Sequence, residues 1–354
     1  MSGQRPHKMK MVRCSLCAMY GMVILCLFAC QPVKTTEMTM ADSLMRVQAD
    51  SFRATMPAGL QHRQAVAIRR AISGDCSALN AVRNARNMSP QLSDNVRTQM
   101  LTPSLRLYEP LTHESRYLPL LIYLHGGGWT FGSLNSCGRF CNAMAASGRM
   151  KVLAVDYRLA PEHPFPAGLD DCVEAIRYAH EQAACLGVDP KHISVGGDSS
   201  GGNLAIASAL HPSCGNLVHS LLLFYPVTKA YNDHSLSWEQ YGRGFGLDAE
   251  IMEDFNRAYV GAGDPENIQI SVGLCSDEML QRLPRTLLIA AGRDILCDQG
   301  REFAQRVGAK VTRIEFSEAV HLFITVPGQD KAFEEAVREA IDYLSICSAD
   351  VCME

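Results

Sequence analysis

A mostly parallel β-sheet with helices packed on both faces is the fold class this sequence predicts, on three observations. Beyond residue 104, short and largely unbroken apolar runs recur at 119–124, 150–156, 218–225 and 285–291, with shorter or alternating strand-like stretches at 105–108 and 311–316. Such runs mark strands covered on both faces, the condition of a parallel sheet. Longer stretches between them carry apolar residues at helical spacing, so strand and helix alternate along the chain. Glycine clusters also follow strand-like stretches, at 126–128 after the 119–124 run and at 196–202 after Ile193-Ser-Val195, where the carboxyl ends of parallel strands hold ligands. The 354 residues, 47% of them hydrophobic, can bury a large core, as one α/β domain with an accessory segment or as two domains.

The first forty residues stand apart. Arg5, Lys8, Lys10 and Arg13 precede an uncharged run from Cys14 to Ala29, and no acidic residue occurs before Glu37. A cationic start and a short apolar run form the pattern of a secretory signal, here residues 1–30. At 16 residues the run falls short of the roughly 17–25 that span a bilayer, which favours a cleaved signal over a permanent anchor. Its end, Leu27-Phe-Ala-Cys30, resembles the lipobox of bacterial lipoproteins, whose cysteine is lipidated and becomes the new N-terminus. Cys30 is thus the expected lipidation site and residues 31–40 a polar tether. The expected location is exported and membrane-anchored, in a periplasm or at a cell surface, the alternative being an ordinary signal peptide and a secreted chain.

Residues 41–103 read as helical. Asp42 or Ser43 can cap a first helix with Leu44, Val47, Phe52 and Met56 near the helical period, and 61–72 forms a second with Ala65, Ile68 and Ile72 on one face. No residue here has the type and spacing for chemistry, so the segment is either a lid or a packing layer. Residues 104–350 then carry the strands, with helices expected at about 169–184 and 332–343.

Composition removes several function classes. A net charge of −4 without basic patches gives no footprint for nucleic acid. Four of the 14 cysteines lie in the leader and ten are scattered, with no His/Cys pair at zinc-ligand spacing. Cys137 and Cys141 can share one side of a helix, and an exported chain permits one or two bridges. No metal or organic cofactor is implied, and the oligomeric state is left open.

The chemistry centres on Gly197-Asp-Ser-Ser-Gly201, which follows a buried strand and opens a helix. In G-x-S-x-G the glycines permit a turn so sharp that the serine, here Ser199, is presented outward as a nucleophile. The helix beyond directs free amides and its positive dipole end at the same point. Alone, the motif also fits an ordinary loop or a phosphate-binding turn.

A serine hydroxyl needs a base, and the base a carboxylate. In strand–elbow–helix sites the order along the chain is serine, acid, histidine. Only His211, His219, His234 and His321 follow Ser199. His211 ends the elbow's own helix, His219 begins a strand on the opposite edge, and His234 sits in a polar loop before any candidate acid strand. His321 follows the last strand at its carboxyl end and satisfies both order and position. Asp294 lies at the tip of the preceding strand and is the expected acid, while Asp298 falls in the first turn of the next helix. Asp248, Asp254 and Asp264 belong to a polar helical segment expected to face solvent. Donors for a developing oxyanion are the Ser200 amide and, from His125-Gly-Gly-Gly128, the amides of Gly127 and Gly128.

His125-Gly-Gly-Gly-Trp129, Asp156-Tyr-Arg-Leu-Ala-Pro-Glu-His-Pro-Phe-Pro-Ala167, Gly197-Asp-Ser-Ser-Gly-Gly202, Asp294-Ile-Leu-Cys-Asp298 and His321-Leu-Phe323 together resemble the hormone-sensitive-lipase-like branch of the α/β-hydrolases, a group of carboxylesterases. The resemblance covers about residues 105–344. It implies an α/β-hydrolase fold with Ser199 as nucleophile, His321 as general base and acid, Asp294 as the orienting carboxylate, and Gly127, Gly128 and Ser200 as the oxyanion hole. It also implies a helical cap from residues 41–103 and an insertion at about 231–267, in which Trp238, Tyr241, Phe245 and Phe255 are candidates to line an acyl or alcohol pocket. The chain departs from the family pattern at Glu318 and Leu322, where glycine usually stands three residues before and just after the histidine, and at Ile295, where proline commonly follows the acid. Arg158, Glu162 and His163 read as structural clamps in their loop.

The expected activity is therefore hydrolysis of short- to medium-chain carboxylic esters, small molecules, through an acyl-serine intermediate. An amidase or peptidase on the same triad, and a hydrolase-fold binding protein without activity, are the alternatives.

Overall fold

The computed structural model describes residues 39–113, 115 and 117–349. Cys30, the leader and most of the tether lie outside them. Among the described residues eight strands form one sheet: β1 (Val96–Thr102), β2 (Leu105–Pro110), β3 (Leu118–Leu124), β4 (Lys151–Val155), β5 (Val188–Asp198), β6 (Ser220–Phe224), β7 (Arg285–Arg293) and β8 (Val311–Val320), in the order β1-β2-β4-β3-β5-β6-β7-β8. The pairs β1–β2 and β2–β4 are antiparallel and all others parallel.

Among the described residues twelve α-helices accompany the sheet: α1 (Met40–Thr55), α2 (Leu60–Ile72), α3 (Ser77–Arg86), α4 (Gly138–Ala146), α5 (Ala167–Glu181), α6 (Ala183–Leu186), α7 (Ser200–Leu210), α8 (Leu236–Tyr241), α9 (Ala249–Val260), α10 (Asp277–Leu280), α11 (Cys297–Val307) and α12 (Asp330–Ala349). Side chains alternate across each strand. Leu120, Ile122 and Leu124 of β3 therefore join the core under α5 and α7, while Leu121 and Tyr123 join the core under α4 and α12. Both faces of the central strands are buried, which is why those strands read as continuous apolar runs.

The N-terminal segment differs from its sequence reading in three ways. Residues 96–102 are a strand rather than part of a helical segment. As an edge strand, β1 buries only Val96 and so carries no apolar run to announce it. The first helix is capped by Thr39, not Asp42 or Ser43: the Asp42 amide donates to the Thr39 hydroxyl and the Thr39 amide donates back to the Asp42 carboxylate. Its buried stripe is Met45, Ala49 and Phe52, whereas Leu44 and Val47 are 45% and 66% exposed. Docking of α1 against β8 and α12 selects that stripe.

The helix α2 packs on α9. Gln61 accepts from the Asp248 amide at 2.7 Å and donates to the Gly246 carbonyl at 2.9 Å. Arg69 donates to Asp254 at 2.8 Å and pairs with Glu250. Asp254 is only 2% exposed, which corrects the expectation that it faces solvent: its partners Arg69 and Arg257 make burial tolerable. Asp264 is exposed and Asp248 half-buried.

Cys137 and Cys141 are buried neighbours with free thiols, and no disulfide occurs among the described residues. None of the described helices is long and apolar enough to cross a membrane.

Candidate active site

The strand β5 ends at Asp198 and α7 begins at Ser200, leaving one residue to make the turn. Ser199 takes φ 54° and ψ −118°, in the region unfavourable to side chains. Its amide donates to the Phe224 carbonyl at 2.9 Å, and its own carbonyl accepts from the amides of Val227 and Asn203. The strained conformation is held from both sides. Gly201 is needed because a Cβ there would run into the Leu124 carbonyl of the neighbouring strand.

His321 follows β8 and Asp294 follows β7, so adjacent parallel strands deliver both to the same edge as the elbow. The Asp294 carboxylate can only accept, which places a proton on His321 Nδ1; that N–H donates to Asp294 Oδ2 at 2.6 Å. The other nitrogen, Nε2, is then the acceptor for the Ser199 hydroxyl at 3.1 Å. The second Asp294 oxygen accepts from the Leu296 amide at 3.1 Å. All three side chains are buried. Asp298 lies in the first turn of α11 and accepts from the Ser237 amide at 2.8 Å, tying α8 to the body of the protein. His211, His219 and His234 are elsewhere, His219 bonded to the Cys347 carbonyl.

The glycine loop after β3 is pinned by the residue that precedes the serine. Asp198 Oδ1 accepts from the Gly126 amide and from the Tyr123 hydroxyl, each at 3.0 Å. Complete burial pushes the Asp198 carboxyl up to about 6, against the opposing pull of these two bonds. Gly127 and Gly128 take φ of 118° and 60°, and the Phe255 ring closes over Gly128 so tightly that no Cβ fits. Trp129 stacks on Tyr259 of α9 with ring centroids 4.3 Å apart, coupling the loop to the helices above it. The Ser200 amide, in the first turn of α7, has no intrahelical partner. Among the described residues no acceptor takes the Gly127 or Gly128 amide.

A cavity of about 70 Å³ opens beside Ser199, bounded by Gly127, Gly128, Phe131, Leu247, Phe255 and Leu322. Of the four aromatic residues considered from the sequence, only Phe255 lines it. Trp238 is in the core, Tyr241 and Phe245 pack on each other at 5.0 Å, and Arg53 of α1 covers Phe245 at 3.8 Å. A larger cleft, about 820 Å³, lies at the amino ends of β3 and β4; its His113 and Ser115 side chains hydrogen-bond to backbone carbonyls rather than to each other.

The departures from the family pattern have local accounts. Leu322 takes φ 75°, the conformation a glycine would adopt freely, and its side chain lines the cavity. Glu318 reaches Arg46 of α1 at 3.8 Å. Ile295 is fully buried in the core. Arg158 clamps Asp171 and Arg83 clamps Glu162, whereas His163 is exposed.

Sequence reasoning missed Gln329, Tyr225 and Arg86. Gln329 straps the backbone around His321, and the Tyr225 ring lies 4.4 Å from the imidazole. Arg86 stands at the cavity mouth over the Phe131 ring. None of these three sits in a motif; the clamp of Asp198 on the glycine loop was missed as well, and its place inside G-x-S-x-G was the signal that could have found it.

Comparison with known proteins agrees with this architecture. Residues 121–325 match a family model described as alpha/beta hydrolase fold. Carboxylesterase NlhH of Mycobacterium tuberculosis is 33% identical over 296 residues, covering 80% of this chain and 88% of its own. Esterase LipI of the same species is 33% identical, covering 68% and 77%. The crystal structure of a thermostable esterase from Pseudomonas putida superposes with a TM-score of 0.73 over 86% of this chain and 96% of its own, at 23% identity, a likeness of fold. The chain belongs to the hormone-sensitive-lipase-like branch of the α/β-hydrolases, a family of carboxylic ester hydrolases.

Proposed function

We propose that the protein hydrolyses small carboxylic esters of short to medium acyl chain through an acyl-Ser199 intermediate. The observation that carries this reading is the continuous hydrogen-bonded relay from the Ser199 hydroxyl through His321 to Asp294, at 3.1 and 2.6 Å. As Ser199 Oγ attacks the ester carbonyl carbon, its proton passes to His321 Nε2, and Asp294 stabilises the imidazolium. The carbonyl oxygen becomes an anion facing the amides of Gly127, Gly128 and Ser200. Removing one such donor typically costs about 100- to 1,000-fold in rate. Collapse breaks the bond to the alcohol oxygen, which takes the proton from His321. Water then gives a proton to His321 and attacks the acyl carbon, releasing the acid and restoring the serine. A cavity of about 70 Å³ suits short acyl groups.

The cationic leader and Cys30 support export and lipid anchoring of the same enzyme.

Hydrolysis of 4-nitrophenyl esters from acetate to decanoate by the parent protein and Ser199→Ala tests the assignment. Turnover is expected to peak at short chains and to vanish in the mutant. A folded parent that cleaves no ester, or a mutant that retains full activity, overturns it.

A further inference from the structure

Two arginines one turn apart on α3 have opposite surroundings. Arg83 is saturated: it pairs with Glu162 and donates to the carbonyls of Thr130 and Ala160. Arg86 has no hydrogen bond or ion pair among the described residues, and its one recorded partner is the Phe131 ring, 5.1 Å from the guanidinium carbon. Phe131 lines the cavity beside Ser199, and so does Arg86. The residue as a whole is exposed, yet protein around the guanidinium pulls its pKa down by desolvation, with no charged group contributing. A cation partly stripped of water, without a counter-charge, at the mouth of a catalytic cavity is an incomplete interaction.

A second residue on the same wall is incomplete in the same sense. Gln64 of α2 is only 7% exposed, lines the cavity, and has no hydrogen-bond partner among the described residues. Its neighbour Gln61 spends both ends of its amide on Asp248 and Gly246. Phe131, Ile251, Phe255 and Leu322 are apolar, so Arg86 and Gln64 are the wall's unpaired side-chain donors, beside the backbone amides of Gly127 and Gly128.

We propose that Arg86, assisted by Gln64, is a specificity determinant that selects esters bearing a carboxylate a few bonds from the scissile carbonyl. A planar guanidinium matches a carboxylate with two parallel N–H donors, and Gln64 supplies a neutral third. Two substrate types share this chemistry: a half-ester of a dicarboxylic acid, with the charge on the acyl side, and the O-acyl ester of a hydroxy acid, with the charge on the alcohol side.

This inference rests on the esterase reading, and its test separates the two. The full chain, Arg86→Gln, Arg86→Lys and Gln64→Leu are compared on 4-nitrophenyl hydrogen glutarate against 4-nitrophenyl pentanoate, and on O-acetyl lactate against its methyl ester. The readout is the ratio of kcat/KM for each charged ester to that of its neutral partner. In at least one pair this ratio is expected to fall tenfold or more in Arg86→Gln, mainly through KM, to fall less in Arg86→Lys, and to drop several-fold in Gln64→Leu. The pair that responds identifies the side that carries the charge. Ratios unchanged by Arg86→Gln in both pairs overturn the proposal and leave Arg86 as a side chain packed on Phe131. Failure of the parent on the neutral esters as well would instead strike the esterase reading.

Discussion

Gln329 grips the backbone of His321 from the far side of its loop: its Nε2 donates to the His321 carbonyl at 3.0 Å while its Oε1 accepts from the Val320 amide at 3.0 Å. Eight residues separate the two in sequence, yet this buried amide holds the segment that sets the imidazole opposite Ser199.

Removing that grip is expected to misplace the base. Gln329→Leu leaves a buried amide and carbonyls without partners, at roughly 1–3 kcal/mol of stability. A shift of the imidazole by 1 Å can cost about 100-fold in rate. Steady-state kinetics on 4-nitrophenyl acetate should show kcat falling about tenfold or more with little change in KM. An unchanged kcat in a folded variant would reduce Gln329 to packing.

Leu322 occupies a left-handed conformation at φ 75°. Such strain costs a non-glycine residue of order 1–3 kcal/mol, while glycine brings back about 0.4–1 kcal/mol of unfolded-chain entropy. Leu322→Gly should therefore leave the thermal midpoint equal or slightly raised and, by clearing the cavity wall, lengthen the acyl chain preferred. A chain-length profile identical to the parent's would show that Leu322 does not limit the cavity.

Asp198 makes stability depend on pH in a stated direction. Burial raises its folded carboxyl from 3.8 to about 6, so between those values the folded state binds a proton that the unfolded chain has already released. The contribution of this group therefore falls as pH rises from about 4 to 6 and is constant above. Urea midpoints measured across that window should lose this component in Asp198→Asn. In Asp198→Ala the Gly126 amide and Tyr123 hydroxyl lose their acceptor, and activity should fall with the loosened loop.

The clasp between α2 and α9 gives a prediction about local opening. Arg69→Ala removes one of the two cations beside buried Asp254, at roughly 1–3 kcal/mol. Hydrogen exchange should quicken in α2 and α9 before it quickens in β5 or β6. Uniform quickening throughout would mean that these helices open only with the whole domain.

Replacing Cys30 by serine tests the anchor. Activity should move from the membrane fraction to the soluble one, and a parent already soluble would exclude lipidation there.

Some features were legible in the sequence because they are local. Unbroken apolar runs declare strands buried on both faces, and Ser199, Asp294 and His321 could be named because each follows a strand-like stretch, in the chain order serine, acid, histidine. The edge strand β1 could not, since only Val96 is buried and its pairing with β2 is supplied by the sheet. The same holds for the stripe on α1, which was misread at Leu44 and Val47, and for Asp254, whose burial depends on arginines 185 and three residues away. Which aromatic residue lines the cavity, and that Arg86 is left without a counter-charge while Arg83 three residues earlier is saturated, were decided by tertiary structure alone. Residue type and period set what a segment can bury, but partners distant in sequence determine whether a charge is satisfied, and no periodicity encodes that.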